Sequence, residues 1–181
     1  MIFRKDVLGI PFDDDYFVYA EDVYLGLRSR FAGYQVKHTN ASSLNHVGSG
    51  TSKNQRNTFL TFYQERNRIL NLLLFFSPYT ILRVLPYLVM NSIAKMFASL
   101  IGMKYSLVGL VKAYGWFFLH VPLIMQKRDK LRKEQKVDDK NVIRYMTCKM
   151  TNGESVVGKM INSISLTYCR LVNLKTIEFN K

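Results

Sequence analysis

Apolar and polar positions alternate between two periods along this chain, and the change of period marks its elements. From Glu21, the residues Val23, Leu27, Phe31 and, less regularly, Tyr24 recur at helical spacing, which predicts a helix ending at Gly33. Glu21 and Asp22 suit the positive end of its dipole, Arg28 and Arg30 the negative end, and Gly33 reads as a C-cap. Upstream, Gly9-Ile10-Pro11 breaks regular structure. Downstream, Tyr34 to Thr39 alternates and predicts a short strand, with a second extended piece over Ser42 to His46. The small, polar run Val47 to Asn54 predicts a loop. A long helix is then expected from about Asn57 to Phe76, stopped by Ser77-Pro78.

Residues 69–125 have a different texture. They are rich in Leu, Phe, Ile, Val, Met and Tyr, and Pro78, Pro86 and Pro122 punctuate them. Between Ile69 and Met125 stand four cations, Arg83, Lys95, Lys104 and Lys112, and no acid. No uncharged apolar run reaches the about 18–20 residues that span a bilayer. Helices with this composition fit an anionic membrane interface, where Lys and Arg reach the headgroups; soluble core helices packed on one another are the plainer reading, and a re-entrant hairpin a third. Gln126 to Lys136 is a charge run, read as a solvated helix facing acidic lipid. It lacks stacking aromatics and any recognition motif, so nucleic acid is not expected as a partner. In the tail, Val157, Met160, Ile161, Ile164, Tyr168, Leu171 and Val172 predict an amphipathic helix. The expected organisation is 1–68, the portion that holds the acidic stretch; 69–147, an apolar and basic helical region; and 148–181, a tail.

Composition narrows the function. With 181 residues, 48% of them hydrophobic, the chain can bury a core. The formal net charge of +13 implies an anionic partner, yet the stretch around Asp13 to Asp22 is locally acidic. Cys148 and Cys169 have no metal-ligand spacing and read as reduced thiols. Met1 to Asp6 is followed by no apolar h-region and does not read as a secretory signal. There is no Walker loop, GxGxxG, CxxC pair or nucleophile elbow.

An ordered series of segments resembles the family 2 glycosyltransferases, in particular rhamnosyltransferase-like members. Val7 to Phe17 resembles the family's "vGxFDexfF" segment, and Tyr19 to Arg28 its "YxEDvDLxlR" motif. Ala32 to Val36 is similar to "xGyxv", His46 to Ser52 to the "HxxgxS" loop, and Arg66-Asn67-Arg68 to the "RN" element of the following helix. Trp116 to Val137 resembles the C-terminal extension of members that build surface glycans. The series covers roughly residues 3–140. Tyr24 departs from it, since many members carry Asp there.

The resemblance implies an α/β fragment, the C-terminal part of a GT-A Rossmann-like domain, followed by membrane-interfacial helices at the cytoplasmic face. The family's nucleotide-binding half and its "DxD" metal motif precede the region seen here. Asp13 and Asp15 spell D-x-D but fall in the "FDe" segment, so they are not given the metal role. The chain is therefore expected to be truncated or split, needing a separate N-terminal part. The reaction implied is an inverting transfer from a nucleotide-sugar to a glycan or lipid-linked acceptor. Asp22 matches the general base, supported by Glu21, whose like charge would raise its pKa. On composition alone, this pair is simply acid at a helix start. His46 matches a ligand of the divalent metal, Mg2+ or Mn2+, with other ligands expected from the missing half. Ser52 and Lys53, with Ser49, Thr51 and Arg56, are candidate diphosphate contacts from the loop, and Arg66 and Arg68 from the helix. Tyr16, Phe17 and Tyr19 are candidates for the acceptor pocket, or core aromatics. A non-catalytic membrane-surface adaptor or partner subunit is the alternative.

Overall fold

The computed structural model describes Gly9 and residues 12–37, 57–101 and 105–179. His46, Ser52, Lys53 and the Gly-rich loop lie outside the described residues, as do the extended piece at 42–46 and the end of the strand expected at 34–39. The described elements are α1 (Glu21–Phe31), α2 (Asn57–Phe75), α3 (Pro78–Leu100), α4 (Leu107–Leu119), α5 (Val121–Glu134), α6 (Asp139–Ile143), α7 (Val156–Leu171) and a 3-10 turn, Ile177–Phe179.

This overturns the expected α/β fragment. Among the described residues there is no strand, and the protein is helical. Tyr34 to Lys37 have the alternating pattern but are all exposed, and among the described residues no strand neighbours them. The backbone there is used to close a helix instead. Gly33 takes a left-handed φ of +86°. Its N–H donates to the Arg30 carbonyl at 3.0 Å, and that of Tyr34 to Ser29 at 2.9 Å, so the last carbonyls of α1 are satisfied without a sheet. Burial also corrects the stripe of α1. Tyr24, Leu25, Leu27 and Phe31 turn inward, whereas Val23 is exposed.

The chain divides once, between Gln135 and Lys136, into two compact units. The first is organised around α2, against which α1, α4 and α5 pack, while α3 touches α4. Rings fill the α1–α2 contact: Phe31 lies 5.8 Å from Phe75 and 5.3 Å from Phe76, and Tyr24 is 5.2 Å from Phe75. The α2–α4 crossing is close because Gly109 has no side chain. A Cβ there would stand 2.6 Å from the Thr58 carbonyl oxygen. Ser106, the N-cap of α4, sits beside it and meets Thr58 Oγ1 at 2.7 Å.

The charge run is not solvated throughout. Ile124, Arg128 and Leu131 of α5 are buried. Arg128 donates to the carbonyls of Leu73 and Phe76, the latter at 2.6 Å, and Gln135 Nε2 donates to that of Phe75 at 2.9 Å. Together they cap the C-terminal end of α2, where a cation also complements the dipole. Arg28 reaches Glu134 at 3.0 Å, joining α1 to α5.

In α3, Ser77 caps and Pro78 starts a helix with Pro86 inside it. Thr80 is its sole buried residue among those described, and it is long and apolar enough to cross a membrane. Leu82, Val89, Ile93, Phe97 and Leu100 are among its exposed side chains. The second unit holds α6, α7 and the 3-10 turn. There, burial pushes the Glu178 carboxyl up, but hydroxyl donors Thr147 and Thr176 and backbone amides outweigh it and hold the group down to about 2.

Candidate functional site

The acidic stretch folds as a turn that enters α1 through two left-handed residues. Tyr19 and Ala20 have φ of +66° and +61°, which costs a residue bearing a Cβ on the order of 1–3 kcal/mol each. Such a pair persists only where its surroundings hold it, and here α2 does so. Asn67, 0% exposed, donates through Nδ2 to the carbonyls of Val18 at 2.8 Å and Tyr19 at 2.7 Å. One turn later, Asn71 Nδ2 reaches the Ala20 carbonyl at 3.3 Å, while its Oδ1 accepts from the Tyr16 hydroxyl at 2.7 Å. Burial pushes the Tyr16 phenol up, with Tyr24 and Asp13 adding to it, so the proton it donates stays in place. Arg66 Nη2 donates to the Asp15 carbonyl. Three side chains of one helix thus hold every corner of the turn.

The result is a fixed acidic pair at the start of α1. Asp22 is exposed, and one oxygen accepts from the Val23 N–H at 2.8 Å. Glu21 Oε2 is buried without a hydrogen-bond partner among the described residues. The helix has no side-chain N-cap there, so the two acids are the groups facing its dipole. Glu21 and Asp22 are adjacent by chain order, and the structure distinguishes them by burying one Glu21 oxygen and leaving Asp22 exposed.

It gives Arg66 and Arg68 other work. Arg66 is buried, with its guanidinium 4.8 Å from the Tyr63 ring centre, 5.0 Å from Trp116 and 5.4 Å from Phe62. Arg68 pairs with Glu65 at 2.6 Å. Glu65 is 1% exposed, and Lys95 at 2.6 Å and Tyr114 at 3.0 Å complete its shell. Burial pushes the Glu65 carboxyl up, yet the hydrogen bonds from Arg68 and Lys95 outweigh it and hold it low. Neither arginine is placed as a ready phosphate contact. Phe17 stays exposed, 5.7 Å from Tyr63 and 6.2 Å from Phe59, so one rim of the site is aromatic. Tyr16 belongs to the core.

Asp13 and Asp15 are occupied by Lys127 of α5, whose ammonium touches both, Asp13 Oδ1 at 2.5 Å. Burial lowers the Lys127 pKa, but the two carboxylates more than offset this and raise it. Among the described residues, no three His, Cys, Asp or Glu side chains come together as a metal site. With an ammonium already between the two aspartates, these residues do not fit a divalent cation.

Sequence reasoning gave no role to Asn71 or Glu65 and read Asn67 only as part of the "RN" element. The i, i+4 spacing of the two asparagines, on a helix otherwise apolar on that side, was the available signal. For Glu65 only the i, i+3 pairing with Arg68 was visible in sequence, because Lys95 and Tyr114 come from α3 and α4. No protein-family model, curated protein or solved structure matches this chain.

Proposed function

We propose that this chain carries the acceptor-side part of a glycosyltransferase working at the surface of a membrane, with Asp22 as general base. The observation that carries the reading is the clamped left-handed turn at Tyr19 and Ala20, which fixes an acidic pair at a helix start. Strained backbone clusters at functional sites, and the strained pair here leads directly into Glu21 and Asp22, which supports the reading. The ordered resemblance of residues 7–68 to family 2 glycosyltransferase motifs supports the same reading.

In the reaction, an acceptor hydroxyl oxygen attacks the anomeric carbon of a nucleotide-sugar. The bond from that carbon to the diphosphate breaks, and its electron pair leaves with the diphosphate. The Asp22 carboxylate takes the hydroxyl proton as the new glycosidic bond forms. Glu21, next to Asp22 at the helix start, is the supporting acid. Phe17 and Tyr63 offer an aromatic face for a sugar ring. The nucleotide-binding wall would come from a further segment or a separate chain. The exposed apolar side of α3 and the excess of positive charge favour a lipid-linked or surface glycan as acceptor, at the cytoplasmic face of the membrane.

The test is transfer from labelled nucleotide-sugars to lipid and glycan acceptors, with the chain combined with its nucleotide-binding part. Asp22→Asn should lower the rate by about 10²–10⁴-fold with folding retained. Unchanged transfer would remove Asp22 from the mechanism. The engagement of Arg66 and Arg68 within the protein favours a second reading, a non-catalytic membrane-surface adaptor. It predicts no transfer in any combination.

A further inference from the structure

Helix α7 packs the wrong way round for a soluble amphipathic helix. Its buried positions are Gly158, Asn162, Ser165 and Cys169, small or polar residues on one face. Hydrogen bonds hold that face to the segment before it. Asn162 Oδ1 accepts from the N–H groups of Met150 at 2.9 Å and Thr151 at 3.1 Å, and its Nδ2 donates to the Thr151 carbonyl at 2.9 Å. Ser165 donates to the Cys148 carbonyl. Gly158 allows the approach, since a Cβ there would lie 2.9 Å from Thr151 Oγ1. With its polar face inward, the helix presents its apolar stripe outward. Val157, Met160, Ile164 and Leu171 are 66%, 61%, 61% and 79% exposed. A helix normally buries such a stripe, and an exposed one marks a surface that something else covers.

We propose that this face of α7 is a second membrane contact, lying in the plane of a bilayer rich in acidic lipids. The charges select that occupant. Residues 136–181 hold eight Lys and Arg against four Asp and Glu, and α7 itself has Lys159 and Arg170 and no acid. Lys159, Ser163 and Arg170 lie along one side of the helix beside the apolar stripe, where cations reach headgroups while the stripe enters the acyl boundary. A second copy fits less well, because it would bring basic helix against basic helix with no acid on either to pair them. This contact is independent of any role for Asp22.

A nitroxide at Ile164→Cys in the full chain reads this face directly. Cys148 and Cys169 are buried, and the unsubstituted chain controls for their labelling. Vesicles of phosphatidylcholine with phosphatidylglycerol should raise collision of the 164 label with oxygen several-fold and lower collision with a water-soluble nickel complex. A label at Ser163→Cys should stay open to the nickel complex. Pure phosphatidylcholine vesicles should give at most a small change. The proposal fails if the 164 label stays in water while the chain is vesicle-bound, or if the chain does not bind. It fails equally if the label is shielded from both reagents, the sign of a protein surface over α7, or if neutral vesicles act as well as acidic ones.

Discussion

Asn67 is the residue on which the candidate site depends most. Its Nδ2 donates to consecutive carbonyls next to a left-handed pair, so Asn67→Ala removes a buried donor from each and lets the pair relax. The expected loss is about 2–4 kcal/mol, read from the urea midpoint of the full chain. Asn67→Asp, nearly the same size, sets a buried carboxylate against the two carbonyl oxygens and should lose at least as much. Ala20→Gly removes the Cβ penalty at φ +61° and should recover part of the loss. If Asn67→Ala leaves the midpoint unchanged, the turn is not held by α2. At this scale the sequence showed the acidic pair Glu21-Asp22 at a helix start, which needs only chain adjacency. For Arg66 and Arg68 the structure adds partners within the protein, the Asp15 carbonyl 51 residues away for one and Glu65 three residues away for the other. The acids at Asp13 and Asp15 were read only as not metal-bound. That Lys127 lies between them needed the packing of α5.

Among the elements, α2 is the one the others are built on, and its crossing with α4 is the most constrained contact. Gly109→Ala gains helix propensity but drives a methyl to 2.6 Å from a backbone oxygen that has no freedom to rotate away. Overpacking should win, with a net loss of about 1–3 kcal/mol. Gly115, on the same helix, has nothing within 4 Å of the position a Cβ would take. Gly115→Ala should therefore stabilise by about 0.5–1 kcal/mol. Thermal melts of both variants check the pair, and equal shifts in one direction would mean that the crossing does not constrain Gly109. The helices at α1 and α2 were legible from periodicity and breakers; the expected C-cap at Gly33 falls one residue late, since Ala32 is the cap and Gly33 the left-handed residue after it. The expected strand failed for a physical reason. Alternation is necessary for a half-buried strand but does not supply a neighbour, and Tyr34 spends its N–H on closing α1.

For the whole molecule, the net charge of +13 and the exposed apolar side of α3 lead to one behaviour. The full chain should float with phosphatidylglycerol-containing vesicles at low salt, and less at high salt as screening removes a headgroup attraction worth about 1 kcal/mol per basic residue. Leu82→Asp with Phe97→Asp should cut the floated fraction several-fold. A chain left in the soluble fraction at low salt would count against α3 as a membrane surface.

Local chemistry by itself determined where helices start and stop, because caps, prolines and dipole-matched charges act within a few residues. It also determined that residues 69–125 are apolar, basic and free of acid, since that is a matter of composition. Only the tertiary structure decided which faces these helices bury. Periodicity specifies that α7 has two faces, not which one packs, and the hydrogen bonds of Asn162 and Ser165 turned the polar one inward. It decided likewise that the acidic turn is held from α2, because a side chain that closes a turn 48 residues away leaves no mark in the residues between.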